Sequence, residues 1–342
     1  MEPAARKQKI LSAIVESFIR SGEPVGSKSL LDETGLKVSS ATVRNDMADL
    51  TEQGYLEQPH TSAGRVPTEQ GYRFYVDNVM RVLPLNEQGS RYIRDALSKN
   101  ADSPESVLQG AADVLSSLTG TVALATTPSG EGGRVRHISF VPIGSHTAMA
   151  VVSASNGIIK TKLFRCEFVL TPEILRVFDK ALNEAFAGVA LHSVTTPSIQ
   201  TAAAGFGELS LFMTAPLTAM KDACEQAAQV SVCHSGFERL MNLADQSPSG
   251  AHRLWTFLQN EHDLAAMLER LPQTPSVVIG SENRRTELQQ CALVSAHYAV
   301  GGSPAGVLAA VGPMRMDYAR VMSILCGVAD CAGGLIDELI EI

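Results

Sequence analysis

Between residues 7 and 20, Ile10, Ile14 and Phe18 share a stripe with Leu11 and Val15. That spacing predicts an amphipathic helix ending before Ser21-Gly22. A second short helix is predicted from Ser27 to Thr34, with Leu30 and Leu31 inward and Gly35 as its stop. A third follows Ser39-Ser40 and runs to Gln53, with Val43, Met47 and Leu50 at i, i+4 and i+7 and Gly54 closing it. Tyr55-Leu56, a polar stretch to Pro67 and a fourth helix from about Thr68 to Leu83 complete the segment. Three helices, a hairpin and a further helix is the element order of a winged helix-turn-helix.

Beyond Pro84, the polar run from Asn86 to Ser103 predicts a connection with some helix in it. Ser103-Pro104 has N-cap and N1 chemistry for a helix carrying Leu108, Ala111, Leu115 and Leu118. From Thr121 to Arg165 the pattern turns to strands split by Gly and Ser turns: VALATT, RHISFVPIG, TAMAVVSA and IIKTKLF. Residues 172–270 read as largely helical, with a loop from Asp245 to Gly250. Strands return at 276–280, 291–300 and 306–312, and a helix from about Met316 to Leu339 closes the chain. Strands, a helical middle and strands again imply a sheet domain interrupted by an insertion. The longest uncharged stretch, Gln289 to Met314, is broken by Gly301-Gly302-Ser303-Pro304, so it reads as two buried strands and a turn rather than a membrane span.

At 342 residues the chain has room for two or three domains, and 45% apolar content with 19% charge excludes a disordered chain. The net charge of −8 argues against a polycation that coats nucleic acid or anionic membrane. Residues 1–85 carry 10 basic and 11 acidic residues, so the acidity lies mainly beyond them and specific DNA binding by that segment stays open. Six scattered cysteines without a CxxC read as buried free thiols. The N-terminus MEPAARKQKIL has no signal-peptide core, so a soluble cytoplasmic protein is expected.

The third helix is built for a major groove, where short side chains near a helix N-terminus meet base edges. With Val43, Met47 and Leu50 buried, Ala41, Arg44, Asn45 and Ala48 lie on the exposed side. The two alanines permit close approach, and Arg44 and Asn45 are types that bond guanine and adenine edges in bidentate fashion. Ser39, Ser40 and Thr42 can cap the helix or reach phosphate. By itself this also describes an ordinary surface helix. Residues 58–68, QPHTSAGRVPT, hold His60, Thr61, Ser62, Gly64 and Arg65 and no acid, which suits a wing laid along phosphates or into the minor groove. A merely solvated loop in so acidic a chain would more usually carry Asp or Glu.

The runs GEPVGSKSL from Gly22, SSATVRNDMADL from Ser39, PHTSAGRVPTEQGYRFYVD from Pro59, VVIGSEN from Val277 and GPMRMDYARV from Gly312 resemble the heat-inducible transcription repressor family HrcA. Residues 165–270 match it only in general pattern. The resemblance implies an α+β multidomain protein: a winged helix-turn-helix at 1–85, a linker at 86–102, a GAF-like α/β domain in two segments, 103–164 and 271–342, and an inserted dimerisation domain at 165–270. It implies a homodimeric repressor of chaperone operons on double-stranded DNA carrying an inverted-repeat (CIRCE-type) operator, with activity dependent on the GroEL chaperonin. The residues expected to contact DNA are Lys28, Ser39, Ser40, Thr42, Arg44, Asn45, His60, Thr61, Ser62 and Arg65.

No enzyme, cofactor, metal or membrane association is expected. The eight histidines include no HExxH, and His252 and His262 are ten residues apart. SGEGG at 129–133 lacks both the P-loop Lys-Ser/Thr and the GxGxxG spacing, and no GxSxG elbow occurs. Glu282 and Asn283 read as turn or cap residues and Arg315 as a structural or interdomain contact. Two other readings stay open: a regulator whose GAF-like domain senses a metabolite, and an enzyme that carries a winged helix for autoregulation.

Overall fold

The computed structural model describes residues 5–35, 38–60, 64–128, 132–207, 210–242 and 248–340. The N-terminal segment forms α1 (Ala5–Ser21), α2 (Ser27–Thr34), α3 (Ser40–Glu52), the two-residue strands β1 (Leu56–Glu57) and β2 (Val66–Pro67), and α4 (Glu69–Asn78). Its interior is the predicted one: Ile10, Leu11, Ile14 and Val15 of α1 meet Leu30 of α2 and Val43, Met47 and Leu50 of α3. β1 and β2 pair antiparallel, Leu56 opposite Pro67 and Glu57 opposite Val66.

α4 stops about five residues short of the expected Leu83. Pro84 disfavours helix at the residue before it, and the chain leaves to lie on another helix. Ser323 donates its hydroxyl to the Leu83 carbonyl, and Leu85 packs on Gly327.

Both of those partners belong to α12 (Tyr318–Ile340), the spine of a five-stranded antiparallel sheet. Its strands are β3 (Val122–Thr126), β7 (Val232–Ser235), β8 (Ser276–Ile279), β9 (Cys291–Val300) and β10 (Ser303–Pro313), in the order β7-β3-β10-β9-β8. β9 and β10 are the expected hairpin across Gly301-Gly302. Their apolar runs are continuous because both faces are covered. Ala123, Ala125, Ala292, Val294, Ala296 and Tyr298 pack with α5 (Glu87–Leu97), α6 (Pro104–Thr119) and α12. Val122, Leu124, Leu293, Val307 and Ala309 pack with α10 (Pro248–Leu258) and α11 (Glu261–Leu268). α12 is long and apolar enough to cross a bilayer, yet Val321, Leu325, Val328, Ala332 and Ile336 are buried against the sheet and its neighbours.

A second, three-stranded sheet is built by β4 (Val135–Pro142), β5 (Thr147–Ala154) and β6 (Ile159–Arg165), in the order β4-β5-β6. It has its own core with α7 (Pro172–Phe186), α8 (Thr196–Gly205) and α9 (Ser210–Ala228): Ile138, Phe140, Val152 and Phe164 against Leu175, Phe178, Leu182, Leu217 and Met220. α7 also occupies the free edge of β4. Asn183 accepts from the Ile138 N–H at 2.9 Å and donates to its carbonyl at 2.6 Å, and Asp179 accepts from the Phe140 N–H at 2.8 Å. Those bonds satisfy backbone groups that an edge strand otherwise exposes.

These sheets divide the chain differently from the expected boundaries. The strands at 135–165 do not join those at 276–313; they pack with 172–228. The segment at 232–268 returns to the five-stranded sheet through β7, a strand that the helical reading of 172–270 passes over, and through α10 and α11. The expected loop at Asp245–Gly250 lies partly outside the described residues, and α10 begins at Pro248 within it.

Candidate nucleic-acid interface

α3 starts where its capping chemistry puts it. Ser39 accepts from the Thr42 N–H at 3.1 Å, and its hydroxyl lies 2.9 Å from that of Thr42. The Ser40 hydroxyl sits 3.0 Å from that of Ser27 and ties the start of α3 to the start of α2. Ser39 and Thr42 are therefore engaged in the cap of α3, and Ser40 in the contact that holds α3 against α2. Ala41, Arg44, Asn45 and Ala48 are exposed together on the outer face, as the stripe predicts, and Lys28 is exposed in the first turn of α2.

What the pattern does not announce is how α3 is held. Asp46 lies on the buried side, its side chain 5% exposed, and takes two hydrogen bonds from Arg6: Nε to Oδ2 at 2.7 Å and Nη2 to Oδ1 at 2.9 Å. The hydrogen bond to Asp46 is the main cause that raises the Arg6 pKa. Lys7 pairs with Asp49 at 2.8 Å one turn further along. α1 thus clasps α3 through two adjacent ion pairs. An acid one position from Met47 on an apolar stripe was the available signal.

The wing is anchored at its base. Val25 and Arg65 exchange backbone hydrogen bonds at 2.9 Å, so the hairpin is stitched to the turn before α2. Gly64 packs so closely on the Val25 carbonyl that a Cβ there would collide with backbone. The half-buried Arg65 donates Nε to the Thr51 hydroxyl at 3.0 Å, which places it at the wing's root beside the last turn of α3. His60 is exposed; Thr61 and Ser62 lie outside the described residues.

The whole unit is docked on the five-stranded sheet. Arg73 of α4 donates to both carboxylate oxygens of Glu282, with Nε to Oε1 at 2.7 Å, and to the Val277 carbonyl at 2.6 Å. Glu69 accepts from the Ser281 N–H at 3.0 Å and from its hydroxyl. Tyr72 meets Tyr318 edge-on at 5.9 Å between centroids. The Arg315 guanidinium covers Gly22, whose φ of 74° suits glycine and where any Cβ would strike that guanidinium. Glu282 also accepts from the Ile279 N–H, and Asn283 donates to the Gly280 carbonyl at 3.0 Å and the Leu288 carbonyl at 3.1 Å, which makes both turn residues.

The remaining chemistry is sparse. Among the described residues no group of three or more His, Cys, Asp or Glu could hold a metal ion. The six cysteines are thiols outside any disulfide, three buried and three half-buried; burial pushes Cys224 up to about 12 and Cys233 to about 11, away from reactive thiolates.

A capped helix presenting small and bidentate side chains, braced by a second helix and followed by a hairpin, defines the winged helix-turn-helix class of DNA-binding unit. Comparison with known proteins adds the family. Residues 105–322 match the family described as HrcA protein C terminal domain. The chain is 32% identical over 340 residues to the heat-inducible transcription repressor HrcA of Xanthomonas campestris pv. campestris, covering 98% of this chain and 96% of that one. It is 34% identical to that of Laribacter hongkongensis, covering 94% and 92%. A crystal structure of a hypothetical protein at 2.2 Å resolution shares the fold, with a TM-score of 0.66 and 23% identity over 99% of this chain and 100% of that one. The chain belongs to the HrcA family of heat-inducible transcription repressors.

Proposed function

We propose that this chain represses heat-shock operons by binding, as a homodimer, an inverted-repeat operator of the CIRCE type in double-stranded DNA. The observation that carries the reading is the exposed face of α3. Arg44 and Asn45 stand beside Ala41 and Ala48, so a helix in the major groove would bring two bidentate side chains to base edges with nothing bulky in the way. Lys28 and His60, exposed on α2 and the wing, flank that face and are assigned to phosphates, with Thr61, Ser62 and Arg65 completing the wing. Ser39 and Thr42 cap the start of α3 and Ser40 ties it to α2, at the end of the helix that we assign to the DNA backbone.

An inverted repeat has two-fold symmetry, and a single helix spans only a few base pairs, so specificity calls for two copies. We assign the dimer contact to the inserted unit, redrawn as residues 135–228 within a GAF-like domain that keeps the five-stranded sheet. The outer face of its three-stranded sheet supports this: Val141, Ile159 and Leu163 are exposed there. GroEL is assigned the role of replenishing active repressor after heat, which suits a regulator that must release DNA on warming. The protein is read as a cytoplasmic regulator without an enzymatic step. Titration of the full chain against the operator and a scrambled duplex tests the reading.

A further inference from the structure

Two routes tie α3 to the five-stranded sheet without passing through the connection after α4. The first leaves the C-terminal end of α3. Thr68 donates its hydroxyl to the Gly54 carbonyl at 2.6 Å, Tyr55 meets Phe74 edge-on at 5.7 Å between centroids, and a Cβ on Gly71 would collide with the Tyr55 carbonyl. One side of α4 is therefore pressed on the turn after α3, while Glu69, Tyr72 and Arg73 on its other side hold Ser281, Tyr318 and Glu282. The second route leaves the buried side of α3, where Asp46 is clasped by Arg6 of α1. α1 runs into Gly22, which lies under the Arg315 guanidinium.

The connection itself is pinned. Ser323 bonds the Leu83 carbonyl, and α5 buries Ile93 and Leu97 in the same core as Leu325 and Val328 of α12. The sheet domain is joined to the inserted unit in the same manner. Lys160 pairs with Glu105 at 3.1 Å, Arg136 donates Nη1 to the Ile340 carbonyl at 3.1 Å, and a Cβ on Gly157 would strike Ile340. A body anchored at several separated points resists rotation as well as translation. That matters on DNA, because each base pair added between two half-sites moves one of them by about 3.4 Å along the duplex and turns it by about 34°. A winged helix on a free tether follows that displacement, whereas an anchored one must deform the duplex or give up a half-site.

We propose that Arg73 and Arg315 are positioning residues for operator recognition: they fix the winged helix on the sheet domain, so that a dimer discriminates the spacing between half-sites as well as their bases. Neither needs to touch DNA. Arg73 acts through α4 on the end of α3, and Arg315 acts through α1 on its buried side. The proposal rests on the reading of this chain as a repressor dimerised through the inserted unit.

The test titrates the full chain against the inverted-repeat operator, the same operator with one base pair added to its spacer, a single half-site and a scrambled duplex. Arg73→Met cuts the first route, Arg315→Met the second, and the double variant both. Wild type should lose about tenfold or more on the lengthened operator, the low end of what deforming a DNA site costs. In the double variant that ratio should shrink to about threefold or less, because a loosened winged helix follows the displaced half-site. The single variants should fall between, and all three should keep wild-type affinity for the half-site. Should the double variant bind the half-site poorly, the single variants still decide. A purely structural role would weaken every duplex alike, half-site included, and leave the spacing ratio unchanged; that result overturns the proposal. So does a wild type that tolerates the added base pair while still preferring the operator to the scrambled duplex. A wild type with no such preference overturns the repressor reading itself, and the proposal with it.

Discussion

Arg73 and Glu282, 209 positions apart in sequence, meet through Nε and Oε1 at 2.7 Å. This pair joins the helix behind the wing to the turn after β8, and Glu69–Ser281 and Arg315–Gly22 flank it. The orientation of α3 is thereby referred to the sheet domain rather than left to a flexible linker. Two of the runs that carry the family resemblance, PTEQGYRFYVD and VVIGSEN, supply the two sides of the contact.

Glu282→Gln should therefore destabilise the chain by about 1–2 kcal/mol, a figure already discounted for solvent screening of a pair about one third exposed. Tm should fall by roughly 2–5 °C. Burial acts to raise the Glu282 pKa, but the bonds from Arg73 and the Ile279 N–H outweigh it and the net shift is downward. A depressed folded pKa means the stabilisation is present above the unfolded value and is lost as pH falls through the lower, folded one. Melting curves of wild type and variant should differ at pH 7 and converge in acid below the usual carboxylate range. A gap that persists unchanged through that range would disprove the linkage.

The Arg6–Asp46 clasp sets the pose of α3 without facing outward. Asp46→Ala should weaken operator binding roughly 5–30-fold, equivalent to about 1–2 kcal/mol, although no base contact is removed. Arg6→Ala should do much the same, and the double variant should add little to either. Strictly additive losses in the cycle would show that the two residues act separately.

The surface assigned to dimerisation carries Leu163, 65% exposed, and Ile159, 58% exposed. Leu163→Glu should leave monomer stability within about 0.5 kcal/mol, as substitutions at exposed positions do. It should also shift sedimentation toward the monomer and weaken the full operator far more than a half-site. A Leu163→Glu chain that sediments as a dimer would rule this face out as the dimer surface.

Arg65 sits at the wing's root with Nε given to Thr51. Arg65→Ala should weaken cognate and scrambled duplexes alike and lower the slope of log K against log salt by roughly one for each phosphate no longer neutralised. An unchanged slope would confine Arg65 to bracing the wing.

The N-terminal unit was legible because its information is local: a stripe, a cap and a stop glycine specify each helix, and α1 to α3 emerge within a residue or two of the expected limits. The strands were legible as strands but not as members of a sheet. β4 to β6 alternate while β9 and β10 run continuously apolar, yet nothing within either tells which strands pair, since pairing is decided by distant residues such as Phe178 under Phe140. β7 is only four residues long and lies among helices. Long-range polar contacts were equally hidden. Arg6–Asp46 and Arg73–Glu282 join residues whose roles emerge only when helices are brought together, whereas the exposed set of Arg44 and Asn45 followed directly from the buried stripe.

Whether α3 reads base edges is decided by titrating wild type and Asn45→Ala against the inverted-repeat operator and a scrambled duplex at one salt concentration. Wild type should favour the operator by about 10³-fold or more. Asn45→Ala should lose about 1–3 kcal/mol per half-site on the operator while its affinity for the scrambled duplex stays the same. Equal binding of both duplexes by wild type, or an equal loss on both by Asn45→Ala, would contradict base reading by α3.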